Sequence, residues 1–579
     1  MIHITLSIRH PYGIYSIFKS LTEKPHQCTS FCLNARKFIY KSGYNQQIVW
    51  GSTTSRVNIS DVYLEHLKLD KNGMPIATYF KGKSISLKQI QQTYFYNSFA
   101  GDSLAQAQRD PIKDDTFLIT YRNNGPLISI KKQKGYGIQS TIYGNLYARD
   151  INGYLALPRA NNLIHFESAI HLLDTSYYNF GFMDNLGNIA FYESGEIPIR
   201  KDLADGKIVS PPFFVKDSAL DEKNGWIPLK NTPADQSLPY KIIPFTNMPQ
   251  VINPSQGFFV NSNSDPVGLT LNNSPLSNNH LPNGGIYYLG FKQATGERAE
   301  QITRLIQAKF KKNQKISLTD MKAIQTNTKS LLAQQFVPYI LNAFAHAKSK
   351  DPEMIEAIHH LSQWNFTTSE HEVAATIFFL WQSCILANTV EKTLSEHHLP
   401  LVTYPIATQT MLHLLKTFDK TSGIGSSGIN FFKVKNIHNP KQARDYVILN
   451  SLYEALEKLK SPEFAKAFAS SQDQDDYHWG KLHRVIFKNI LGQNIPLSGS
   501  IARDGGIETI NAANFNGLAT KPDDFIFSSG ASLRRVIEIR PDKVISFVSL
   551  PGGESEEEKS PFFTNMLNKW LQGKYVQEK

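Results

Sequence analysis

From the start of the chain to about residue 290, apolar residues come in short runs punctuated by Gly, Pro and Asn, as in DDTFLITYR and GNIAFYESG. Runs of this kind between turn residues predict many short strands gathered into large sheets. At Gly296 the pattern changes. Ala299, Ile302, Leu305 and Ile306 recur at helical spacing, as do Ile355, Ile358 and Leu361, and the helical texture continues to about Leu459. Ser317-Leu318-Thr319-Asp320 reads as a helix start ahead of Met321 and Ile324. After Trp479 the strand pattern returns, in RRVIEIRP and KVISFVSL. A helical block between two strand-rich blocks suggests one sheet core formed from both ends of the chain.

Composition narrows this picture. At 579 residues the chain exceeds one ordinary core, and 41% hydrophobic with 19% charged residues is ordinary globular usage. Lys plus Arg exceed Asp plus Glu by 61 − 50 = 11, but the basic residues are scattered, with no RNP sequence, zinc-finger spacing or helix-turn-helix signature. A basic soluble protein fits better than a nucleic-acid binder. The longest apolar run, Ala374 to Ala387, is interrupted by Gln382 and Ser383 and is too short to span a bilayer, so it predicts a buried helix and no membrane span. The opening MIHITLSIRHPYGIY lacks the basic and apolar regions of a signal peptide, which keeps the chain as written in the cytoplasm. Cys28, Cys32 and Cys384 are too few for a disulfide framework, and Cys28/Cys32 has no second ligand pair for zinc.

Five separated segments share an order with one known family. They are GYNQQIVWGSTTSRVNISDVYLEHL (43–67), MDNLGNIAFYESGEIPIR (183–200) and MPQVINPSQGFFVNSNSDP (248–266). A fourth group runs GERAEQITRLI, LTDMKAIQTNTKS and LSQWNFTTSEHEVAATIFFLW. The fifth runs from HWGKLHRVIF through GGIETINAANF, GASLRRVIEI and LPGGES to SPFFTNMLNKWLQGKY. Together they resemble the β-chain of the penicillin acylase (penicillin amidase) family of N-terminal-nucleophile (Ntn) hydrolases. The resemblance implies an α+β fold, the αββα four-layer sandwich with inserted helical arms. Residues 38–295 and 476–579 would form the two parts of the sandwich core and 296–475 the helical arms, with 1–37 an out-of-frame or divergent N-terminal segment. It also implies hydrolysis of small-molecule N-acyl amides through an acyl-enzyme, a partner α-chain cut from the same precursor, a periplasmic location and no required cofactor. A relic or binding protein that kept the fold without the reaction is the alternative.

Amide hydrolysis needs a nucleophile, a base and donors placed where negative charge develops on the carbonyl oxygen. In the family the first residue of the mature β-chain supplies the nucleophile, and its α-amino group, titrating near working pH, supplies the base. By position, Asn263 matches the side-chain oxyanion donor, Thr54 the residue giving the backbone N–H donor, and Arg298 the arginine that orients the asparagine; Arg304 is the residue most easily mistaken for it. Ser52 is expected on the wall of the acyl pocket. Asp61 matches an acidic calcium ligand of some members, in which Asn58 is replaced by an acid, so calcium is a possible ligand here. His483 in WGKLHR looks like a base but is expected to be a packed, hydrogen-bonded histidine.

The family's nucleophile is followed by N-D-P-H and, five residues on, P-S-I-W-Y, a pattern absent from residues 1–37. Reading each codon from the third base of the preceding one turns Met1-Ile2 into an aspartate codon. The same shift permits Pro and His at residues 3 and 4 and P-S-I-W-Y at residues 10–14. Residues 1 to about 37 are therefore expected to be an out-of-frame translation that packs poorly, with the nucleophile encoded upstream of Met1.

Overall fold

Six strands form a first antiparallel sheet, in the order Gln250–Ile252, Ile189–Glu193, Tyr178–Asp184, Ile48–Thr54, Tyr40–Tyr44 and Thr29–Cys32. Its outer face carries Ile48, Trp50, Phe180, Phe182 and Tyr192, all buried beneath the helices Asp150–Ala156 and Leu163–Ile170 through Tyr154, Phe166 and Ile170. The second of these helices starts where the Asn162 side chain accepts from the His165 N–H, satisfying one otherwise orphaned donor. The computed structural model describes residues 2–6, 29–32, 40–80, 82–97, 109–120, 125–143, 145, 147–218, 221–268, 275–276, 280–348, 351–487, 500–555 and 559–578.

A second sheet joins the two ends of the chain. Ile2–Leu6 pairs antiparallel with Ser529–Ile539, which pairs in turn with Val544–Ser549 and through it with Val576–Gln577. The Ile48–Thr54 strand of the first sheet lies against both Ile2–Leu6 and Ser529–Ile539, so the two sheets face each other. Behind the second sheet, helix Leu318–Gln325 lies against Ser529–Ile539, and the Trp570 indole N–H donates to the carbonyls of Ala531 and Ser532. The layers thus run helix, sheet, sheet, helix. The strands Ile2–Leu6 and Thr29–Cys32 both pair within these sheets; the rest of residues 1–37, Cys28 included, lies outside the described residues. A third sheet is centred on Ser60–Leu69, with Lys134–Ser140 and Pro75–Phe80 beside it and Lys216–Asp217 pairing in parallel.

The helical block begins at Glu297–Phe310. Helix Leu318–Gln325 opens with a capping box in which Ser317 and Asp320 satisfy each other's backbone N–H groups. Every residue of Val373–Leu386 is buried, so this helix needs no polar face. It runs on through a wider turn to Glu396, longer than the sequence pattern suggested, giving 24 residues apolar enough to cross a membrane by composition. Its apolar window is 89% buried among other helices, as in a core helix. One expected stripe is corrected. Ile355 is 48% exposed, while Ala357 and Leu361 are buried and Met354 and Ile358 pack against the same core. Two successive steps of three residues drift off a face that turns every 3.6, whereas steps of three and four hold it.

Candidate active site

The Ile48–Thr54 strand ends where two side-chain amides meet one carbonyl. Asn263 Nδ2 donates to the Thr54 oxygen at 2.9 Å and Asn179 Nδ2 donates to it at 3.3 Å. One residue earlier, Thr53 Oγ1 donates to Asn261 Oδ1 at 2.5 Å, and the same Asn261 oxygen accepts from the Asn263 backbone N–H at 3.1 Å. The chain can double back this tightly because Asn263 sits at φ 61°, a left-handed conformation that asparagine tolerates better than most residues. Its own carbonyl accepts from Ala294 N at 2.9 Å, which ties the turn to the segment leading into the Glu297–Phe310 helix.

That helix delivers Arg298. Its Nη2 donates to the Ser262 carbonyl at 2.5 Å and to Asn263 Oδ1 at 3.3 Å, and its Nε donates to Glu508 Oε2 at 3.2 Å. A guanidinium can only donate, so the Asn263 atom facing it must be the amide oxygen, which turns the NH₂ group toward Thr54. One N–H of that group is taken by the Thr54 carbonyl, and the other is left to donate. Asn263 and Arg298 are 3% and 4% exposed, so the donor is held in a desolvated setting where a hydrogen bond to developing charge is strong. Thr54, Asn263 and Arg298, distant in sequence, are thus brought together. Arg304 is at the surface, paired with Glu300 at 2.5 Å one helical turn away.

Thr53, Asn179 and Asn261 also line a cavity of about 670 Å³, whose other polar lining residues are Lys315, Ser317, Glu538 and Arg540. The remaining wall is largely apolar, with Met183, Phe191 and Phe258 from the first sheet side, Ile302 and Ile306 from the helix, and Ile537 from the second sheet. Asn263 stands one hydrogen bond behind this wall. A space of this size and character has room for an apolar group, which would be stabilised by removing its surface from water.

Two expectations are corrected here. Ser52 is not on the cavity wall: Gly51 and Thr53 line the cavity, and alternation along the strand puts Ser52 on the Ile48/Trp50 face, opposite Phe180. Asp61 is not free to bind calcium. It is fully buried, with Arg200 Nη2 at 2.7 Å and Lys216 Nζ at 2.8 Å, and these cations hold its carboxyl down at about 2 despite burial. Asn58 is likewise engaged, donating to the Tyr288 hydroxyl at 3.1 Å and accepting from Ser60 N at 3.2 Å. Among the described residues no trio of His, Cys, Asp or Glu could hold a metal ion, and the donors present do not fit calcium, which wants six to eight oxygens.

His483 is buried, bonded through Nδ1 to the Phe525 carbonyl at 2.7 Å and stacked on Trp479, and burial lowers it to about 3, so it stays neutral. Sequence reasoning missed Asn179, Asn261, Glu508 and Glu193. Glu508 lies inside the matched GGIETINAANF segment, a signal that was there to follow. Glu193 accepts from the Ser55 hydroxyl, next to Thr54, and its other oxygen is buried without a partner. Burial pushes it up to about 7.

Comparison with known proteins bears on the family and the fold. A family model described as penicillin amidase matches residues 36–579. The acyl-homoserine lactone acylase QuiP of Pseudomonas fluorescens strain Pf0-1 is 22% identical over 546 residues, which is 92% of this chain and 58% of that protein. QuiP of strain Pf-5 is 22% identical over 549 residues, 92% of this chain and 59% of that protein. The chain therefore spans under two thirds of the length of these relatives. Among solved structures, a thermostable penicillin G acylase from Alcaligenes faecalis superposes with a TM-score of 0.66 at 14% identity, covering 100% of this chain and 92% of that one. The fold is that of the Ntn hydrolases.

Proposed function

The chain belongs to the penicillin amidase family, and on that premise we propose that it carries the acyl pocket and oxyanion donors of an amidohydrolase cleaving small N-acyl amides. The observation that carries this reading is the Asn263 amide, oriented by Arg298, with a donor to spare beside an apolar cavity. When a nucleophile attacks the amide carbon, the carbonyl oxygen takes up negative charge. The spare Asn263 N–H and the Thr54 backbone N–H would stabilise it, and loss of one such donor costs about 2.7–4 kcal/mol of transition-state stabilisation. A neutral donor suits this task, because no fixed charge opposes release of the acyl product. The acyl group would lie among Met183, Phe191 and Ile302, and N-acyl homoserine lactones are the substrate class suggested by the relatives. The nucleophile and its α-amine base are assigned to the first residue of a mature β-chain, and an α-chain from the same precursor completes the enzyme.

The test is to express the chain with and without an upstream α-chain segment and a serine-initiated start. Hydrolysis of phenylacetyl amides and acyl-homoserine lactones would be followed, together with binding of the free acid. Turnover that survives Asn263→Ala undiminished would refute the oxyanion assignment. An assembled protein that binds the acid without turnover would instead favour a binding protein.

A further inference from the structure

The Asp61 cluster departs from a metal site in a specific way. Its carboxylate accepts five contacts: at Oδ1 from Arg200 Nη2 at 2.7 Å and Nε at 3.3 Å, and at Oδ2 from Lys216 Nζ at 2.8 Å, Trp226 Nε1 at 2.9 Å and Arg200 Nε at 3.1 Å. A carboxylate offers about four lone-pair directions, so none is left for an incoming ion. We propose that the Lys216 ammonium, with the Arg200 guanidinium, is a built-in cation that takes the place of a bound divalent metal at Asp61.

The surroundings are arranged around an ammonium. Lys216 Nζ also donates to the Asn224 carbonyl at 2.7 Å and lies 5.7 Å from the centre of the Tyr63 ring, while the Arg200 guanidinium lies 5.3 Å from that of Tyr288. Both cations thus have a carboxylate and an aromatic face to offset the loss of water. The other carboxylate near Lys216 is Asp202, whose oxygens accept from the backbone N–H groups of Leu203 and Val209 and so hold their own loop. A divalent ion entering here would meet the two cations already paired to Asp61. The cluster does the joining that a metal would do: it ties the Ser60–Leu69 strand to Arg200, to the Lys216–Asp217 strand and to Trp226, segments 139, 155 and 165 residues away from Asp61. This holds whether or not the amidase reading is right, because it concerns the fold.

The experiment is thermal unfolding of the full chain in EDTA, in millimolar calcium, and with terbium as a luminescent calcium probe, which Trp226 and the two tyrosines would sensitise. The expected result is one Tm in all conditions and no sensitised terbium emission. Lys216→Met should lower the Tm, and adding Asp61→Asn to it should recover part of the loss, because an unpaired buried carboxylate is then removed. Calcium raising the Tm of the unsubstituted chain in a saturable way, or EDTA lowering it, would overturn the proposal. An unchanged Tm in Lys216→Met would overturn it equally.

Discussion

The Asn263 side chain reaches back 209 residues to donate to the carbonyl of Thr54 at 2.9 Å. The residue matched to one oxyanion donor therefore helps fix the peptide that follows the other. With Asn179 donating to the same oxygen, the Thr54–Ser55 peptide is pinned from two sides. Asn263→Ala in the assembled enzyme should lower kcat by about 10²–10³ while KM changes little. Asn263→Gly, which accepts the left-handed backbone without strain, should lose as much activity with a smaller loss of Tm. Steady-state kinetics of both variants on one acyl amide checks this.

Arg298 holds three separate acceptors through two nitrogens of its planar fork, a spread that a single ammonium nitrogen does not match. Arg298→Lys keeps the charge and loses the geometry. Its kcat should fall by about tenfold, equivalent to 1.4 kcal/mol, with KM nearly unchanged. Arg304→Lys, at the surface, should do nothing measurable.

Glu193 sets a pH dependence of stability. Its folded value is raised to about 7 against an unfolded value near 4.3, so its favourable contribution is complete below about pH 4 and is lost as pH rises through about 7. The loss amounts to about 4 kcal/mol for a shift of this size. Urea unfolding across this range should show stability declining with pH, and Glu193→Gln should flatten part of the decline. Glu196, raised to about 7 by its own burial, should account for a similar share that only Glu196→Gln removes.

Cavity size should set the acyl preference. Ile302→Phe fills space between the helix and the first sheet, so the preferred acyl chain should shorten. One methylene in such a pocket is worth about 1–3 kcal/mol, or 10–200-fold in kcat/KM between neighbouring chain lengths. A homologous series of acyl amides measures the shift, and an unchanged preference would place the acyl group elsewhere.

Much of this architecture was legible in the sequence because the five matched segments carry order as well as identity. Asn263, Arg298 and Thr54 could be named from position, and the structure places them in contact. The partners of Asp61 could not, since Arg200 and Lys216 announce nothing locally about a carboxylate more than a hundred residues away. The facing of Ser52 was hidden for another reason. Ile48, Val49, Trp50, Gly51 and Ser52 are all buried, so the alternation that normally reveals a strand's inner face is erased. The helical stripe failed at Ile355 because three apolar residues at equal spacing fit two different faces.

The parts of the site at Thr54, Asn263, Arg298 and Glu508 emerge far apart in time during synthesis. At about 5–20 residues per second, the interval from the first to the last is on the order of tens of seconds. Helices of the 297–465 region can form from local contacts as they appear, whereas the first sheet must wait for Ser529–Ile539 before its inner face is covered. Throughout that wait the apolar walls of the future cavity, Phe191, Phe258 and Ile302 among them, face water. The same surface that would hold a substrate is, in the nascent chain, exposed apolar surface prone to self-association.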